Sequence, residues 1–190
     1  GWGQSSPTIT IHPTGSSAYV GDSVTLTGAA EGTAPLALQW FRNNVPIAGA
    51  TNASLTFSSL TLNDASVYYF TATNADGSAT SLPTGIYVTK RPQTLALSPA
   101  TTTAVAGGSI ILAATSTSNL PVTLALISGS GSLNGSTLTG LGGPVVVRAS
   151  QPGNDTYAAA EVLERTYTFT SGSLSPFITS PPPDQTVNAG

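Results

Sequence analysis

The sequence predicts an all-β protein made of two small sandwiches in series, and three observations carry that prediction. Apolar and polar residues alternate with a period of two, in segments dominated by Thr, Val, Ile, Tyr and Phe, the residue types that suit a half-buried pleated surface. Turn residues interrupt these segments at a spacing of about eight to twelve positions, as short antiparallel strands require. The pattern then restarts after Thr89-Lys90-Arg91-Pro92, in a chain of 190 residues whose length suits two small domains.

In chain order, Ser23-Val24-Thr25-Leu26-Thr27 alternates cleanly, and so do Leu36-Ala37-Leu38-Gln39-Trp40 and Tyr68-Tyr69-Phe70-Thr71-Ala72. Val20-Gly21-Asp22, Arg42-Asn43-Asn44-Val45-Pro46 and Asn74-Ala75-Asp76-Gly77 supply turns through residues that tolerate or prefer tight backbone geometry. Lys90-Arg91 is the one adjacent basic pair. With Pro92 limiting its freedom, it reads as a solvated domain junction rather than a processing site. A second strand series follows over residues 109–115, 122–127, 133–139 and 145–149, with Asn134-Gly135 as a tight hairpin turn. The only helix-like run, 157–165, leads directly into Thr166-Tyr167-Thr168-Phe169 and reads as the approach to a last strand.

The tail repeats the start. Ser6-Pro7-Thr8-Ile9-Thr10 recurs as Ser175-Pro176-Phe177-Ile178-Thr179, an offset of 175 − 6 = 169 residues. Pro13 and Gly21 recur at the same offset as Pro182 and Gly190. The expected organisation is therefore a domain at 6–90, a second at 91–170, and at 171–190 a linker with the first strand of a third repeat.

Composition narrows function. Charged residues number 13 of 190, or 7%, against about a quarter in typical domains. Ser and Thr fill the deficit with 24 and 29 positions, while the 39% apolar content suffices for a core. A net charge of −3 with five basic residues cannot build a phosphate-tracking surface, so nucleic acid is excluded as a partner. No stretch approaches the ~18 apolar residues of a membrane-spanning helix, and the first residues carry no signal-peptide features. The absence of Cys removes disulfides, thiolate chemistry and Cys-based metal sites.

Catalysis would need converging titratable groups. The eight carboxylates, Asp22, Glu31, Asp64, Asp76, Asp155, Glu161, Glu164 and Asp184, are scattered. Glu161 and Glu164 form the only close pair, and on a strand they would face opposite ways. His12 stands alone before Pro13 and reads as a surface residue. Asn154-Asp155 and Asn74-Ala75-Asp76-Gly77 are the only segments with calcium-type oxygen donors, and turn conformation explains both. Trp2, Tyr19, Tyr69, Tyr87 and Tyr157 could face outward as sugar platforms. Tyr69 is the firmest case, because Tyr68 and Phe70 flank it inward, but no two are close in sequence. Asn52, Asn134 and Asn154 fit the N-glycosylation pattern, as chance allows in a chain rich in Asn, Ser and Thr. No cofactor and no enzyme activity are expected.

Residues 6–90 resemble an immunoglobulin-like I-set domain. Trp40 stands where the family's core Trp belongs, Asp64-Ala65-Ser66-Val67-Tyr68 looks like its tyrosine-corner motif, and Asn74-Ala75-Asp76-Gly77 matches its last hairpin turn. The resemblance places the family's two Cys at Gly28 and Phe70, so Phe70 is expected to cross the gap between sheets and cover Gly28. Residues 91–170 resemble bacterial immunoglobulin-like repeats of surface and adhesin-type proteins, on Ala114-Thr115-Ser116-Thr117-Ser118-Asn119-Leu120-Pro121-Val122-Thr123, Val147-Arg148-Ala149-Ser150-Gln151-Pro152-Gly153-Asn154 and Tyr157-Ala158-Ala159-Ala160. Lys-Asn cross-links found in some such domains need a buried Lys, and the only Lys here, Lys90, lies in the junction.

The resemblances imply a non-catalytic spacer or adhesion segment of a large secreted or cell-surface bacterial protein. Its partners would be neighbouring repeats of the same chain and a protein or glycan ligand at the surface. The alternative is an accessory carbohydrate-binding module of a secreted polysaccharide-degrading enzyme. The structural core residues of either are Trp40, Tyr68, Phe70 and Gly28.

Overall fold

The computed structural model describes residues 3–100 and 103–172. Trp2 and the repeated tail from 173 onward, where the third-domain strand is expected, lie outside the described residues. Backbone contacts divide the chain into two compact units. One runs to Thr94 and includes Pro152–Ala160; the other is Leu95–Gln151 with the chain from Glu161 onward. Pro152–Ala160, which the sequence puts with the second domain, thus groups with the first.

In the first unit the strands are β1 (Thr8–Ile11), β2 (Ser16–Tyr19), β3 (Val24–Thr27), β4 (Ala29–Glu31), β5 (Ala37–Arg42), β6 (Val45–Pro46), β7 (Ser54–Phe57), β8 (Ser66–Asn74), β9 (Gly77–Thr80) and β10 (Thr84–Thr89). One sheet has the order β2-β10-β8-β5-β6, with β9 on the far end of β8. Only the β2–β10 contact is parallel in this sheet. The other layer consists of β1 on β4 and β7 on β3, and β3 runs on into β4 across Gly28. Trp40 sits opposite Phe70 in the β5–β8 register, and the neighbouring pair Phe41–Tyr69 points the other way, as strand pleating demands. The Asn43-Asn44 loop joins β5 to β6 with both residues at positive φ (47° and 68°), the twist a two-residue hairpin favours.

In the second unit the strands are β11 (Leu95–Ser98), β12 (Thr103–Val105), β13 (Ser109–Ile111), β14 (Ala113–Ser116), β15 (Thr123–Asn134), β16 (Thr137–Ser150) and β17 (Leu163–Thr170). A sheet of order β12-β17-β16-β13 has β15 paired along β16, and β11 pairs with β14. The expected strand over 109–115 is split at Leu112: its amide donates to the Ser136 carbonyl at 2.7 Å, the last bond toward β16, and from Ala113 the chain pairs with β11 instead. The Gly-rich stretches between the expected strands do not end them. β15 and β16 run through these stretches, and register shifts between Leu126 and Gly131 absorb the irregularity. The hairpin turn falls one residue later than the Asn134-Gly135 reading. Asn134 pairs with Thr137, so Gly135, at φ 59°, is the first of the two central residues.

Among the described residues no α-helix occurs, and Leu62–Asp64 forms a 3-10 turn. The run 157–165 forms no helix: Tyr157 bridges to Arg91, and β17 begins at Leu163. Each unit has its own core. Leu26, Trp40, Leu60, Tyr68, Phe70 and Ile86 fill the first, and Leu97, Leu138, Val145, Val147, Tyr167 and Phe169 the second.

Candidate functional site

Phe70 lies on Gly28. A Cβ built on Gly28 would come within 2.1 Å of Phe70 Cε1, so the glycine is the hole into which the ring fits. Phe70 is 1% exposed, and its ring centroid lies 5.1 Å from that of Trp40 at a 44° tilt. This contact stands where the resemblance puts a disulfide, and it joins the two layers by dispersion and apolar burial in place of a covalent bond. In the second unit a ring also lies on a glycine, here between the neighbouring strands β16 and β17 and at residues the sequence did not single out: a Cβ on Gly140 would come within 2.0 Å of Phe169 Cδ2.

In the first core the indole and phenol of Trp40 and Tyr68 are bonded to backbone. Trp40 Nε1–H donates to the Asn52 carbonyl at 2.8 Å, and Tyr68 Oη–H donates to the Asp64 carbonyl at 2.8 Å. Asp64 in turn accepts from the Thr61 amide and hydroxyl at 2.8 and 2.7 Å, which fixes the 3-10 turn ahead of β8. Burial raises the Tyr68 phenol above its ordinary value, with Arg42 opposing and Asp64 reinforcing the shift. Burial raises Tyr167 likewise, against Arg165.

The remaining sequence candidates are held apart. His12 is exposed, and its Nδ1 accepts from the Leu82 amide at 3.0 Å. Glu164 pairs with Arg148 across the β16–β17 ladder at 2.6 Å, whereas Glu161 precedes the strand. The turn reading of the Asn/Asp segments has visible bonds. Asn74 Oδ1 accepts from the Asp76 amide, and Asn154 Oδ1 accepts from the amides of Thr156 and Tyr157. Among the described residues no group of three or more His, Cys, Asp or Glu could hold a metal ion.

The junction differs from the solvated linker expected of it. Arg91 pairs with Asp22, donates to the Val20 carbonyl and lies 5.6 Å from the Tyr19 ring centroid. Its backbone bridges Pro152–Ala160: the Arg91 amide donates to Thr156 at 2.8 Å, and the Ala158 amide donates to Arg91 at 2.9 Å. Lys90 Nζ and Gln93 Nε2 donate to the carbonyls of Asn154 and Ala158. A pairing to residues some 65 positions away leaves no periodic trace in sequence.

Tyr69 is not isolated. Phe41 stacks on it with centroids 5.0 Å apart and planes 3° from parallel, and Tyr69 Oη–H donates to Asn44 Oδ1 at 3.2 Å. On the other side of β8 the neighbouring strand is interrupted. β9 ends at Thr80 and β10 begins at Thr84, with Pro83 between them. Ser81 carries the pairing across this gap, its Oγ accepting from the Phe70 amide and its amide donating to the Phe70 carbonyl. The interruption opens a hollow of about 610 Å³ on the outer face, lined by Asn43, Asn44, Val67, Tyr69, Thr71, Thr80, Ser81 and Pro83.

The immunoglobulin domain family matches residues 6–74. Among solved structures, the titin domains z1z2 in complex with telethonin match with a TM-score of 0.62 and 18% identity, over 89% of this chain and 98% of that one. The titin I-band fragment I67-I69 matches with a TM-score of 0.44 and 18% identity, over 89% and 66%. The titin M10–obscurin-like 1 complex gives 0.43 and 22%, over 46% and 98%. Among curated proteins, none matches this sequence. The chain thus contains an immunoglobulin-like domain, and its all-β architecture is that of tandem immunoglobulin-like folds.

Proposed function

We propose that this tandem immunoglobulin-like chain is a non-catalytic spacer or adhesion segment of a large secreted or cell-surface bacterial protein. The observation that carries this reading is the construction of the junction. Thr89 accepts from the Val20 amide, Arg91 is bonded through backbone and side chain, and Lys90 and Gln93 both donate to Pro152–Ala160. The chain leaving the first sheet is therefore bonded within the first unit rather than left slack, which supports a segment built for mechanical rather than chemical work. The composition supports the same reading. A surface of Ser and Thr with 7% charged residues has little to bind polyelectrolytes with, and it leaves recognition to neutral contacts.

An antibody against residues 6–90, applied to intact and to permeabilised cells of the organism that makes the protein, tests the reading. Labelling of intact cells, or of protein shed into the medium, is the expected result. Labelling only after permeabilisation overturns it.

A further inference from the structure

We propose that the hollow beside Tyr69 on the first unit binds a neutral oligosaccharide by stacking a sugar ring on that tyrosine. The proposal goes beyond the spacer reading and does not depend on it. Phe41 covers the face of Tyr69 that looks toward β5, and the bond to Asn44 fixes the hydroxyl end, so the ring is held upright. In the sheet, β8 lies between β5 and the successive strands β9 and β10, so the uncovered face of Tyr69 looks toward the gap left by Pro83.

The chemistry around that gap selects the ligand class. Asn43, Asn44, Thr71 and Thr80 surround the ring with amides and hydroxyls, and no charged side chain lines the hollow. A pyranose offers a patch of C–H bonds on one face and hydroxyls around its rim, which matches an oriented aromatic ring set among neutral polar groups. An anionic ligand would find no cation here, and an apolar peptide would have to desolvate the amides and hydroxyls without pairing them.

Backbone-amide NMR titration of the full chain with cellohexaose, xylohexaose, mannohexaose and N-acetylchitohexaose tests the proposal, with a galacturonic acid hexamer as the anionic contrast. At least one neutral oligosaccharide should shift the amides of Asn44, Thr71 and Thr80, and the anionic one should not. Tyr69→Ala should weaken binding about tenfold or more, while Tyr69→Phe, which keeps the ring, should stay within about threefold. Thr80→Arg, an exposed change that fills the hollow, should also abolish binding and serves if Tyr69→Ala disturbs the fold. Three outcomes each overturn the proposal: no shift from any of the four at about 10 mM, shifts confined to other surfaces, or binding unaffected by Thr80→Arg.

Discussion

Gly28→Ala adds one methyl group at the point where the two layers of the first unit touch. The new Cβ would stand 2.1 Å from Phe70 Cε1 and 2.7 Å from Cζ. Carbon atoms prefer about 3.5 Å or more, so the ring must retreat by about 1.4 Å. It has nowhere to go, because Phe70 is buried and Trp40, also fully buried, lies 5.1 Å behind it. Overpacking of this kind costs about 1–3 kcal/mol. Gly28 has no left-handed φ, so the alanine also gains about 0.4–1 kcal/mol by restricting the unfolded chain, which leaves a net loss centred at about 1.3 kcal/mol. Denaturant unfolding followed by tryptophan fluorescence reads the first unit, since the chain's only tryptophans are Trp2 and Trp40. Phe70→Leu removes the clashing ring atoms, and the double variant should be less destabilised than the sum of the singles by about 1 kcal/mol. A neutral or stabilising Gly28→Ala, or strict additivity in the cycle, would refute the ring-on-glycine packing.

Gly140→Ala should destabilise the second unit by a similar ~1–3 kcal/mol through Phe169. That loss should show in a far-UV circular dichroism transition with little change in tryptophan emission. Tyr68 and Tyr167 both hold their phenol protons more tightly folded than unfolded. Their contribution to stability is therefore complete below about pH 10 and is lost as pH rises through the raised folded values. Absorbance of tyrosinate should accordingly show two tyrosines that ionise only on alkaline unfolding, and Tyr68→Phe should remove one of them. Asn154→Ala deletes the acceptor that shapes the loop against Lys90 and Arg91. Trypsin should then cut after Lys90 faster than in the unaltered chain, at a site whose cleavage otherwise waits on local opening.

Local patterns made much of the first unit readable. The period-2 alternation around Trp40 and Tyr68 sets which side chains face inward, and it is continuous in sequence. Contacts that depend on cross-strand register or on distant pairing left no such trace. Phe41 follows Trp40 directly, and only the β5–β8 register reveals that it stacks on Tyr69. Gly140 and Phe169 meet between the paired strands β16 and β17 although each looks ordinary in its own segment. The glycines around residues 129 and 142 read as loop punctuation, yet they mark bends within two long paired strands. Pro152–Ala160 reads as a second-domain loop, and its bonds to Arg91 and Gln93 group it with the first unit.

The central structural claim is that a phenylalanine ring seated on a glycine does the work of a cross-link between the two layers of the first unit. Proton NMR of the intact chain tests it most directly. The account predicts strong nuclear Overhauser contacts between the Gly28 α-protons and the Phe70 ring, with those α-protons displaced by the ring current. Ordinary glycine shifts at residue 28, with no contact to the Phe70 ring, would contradict it.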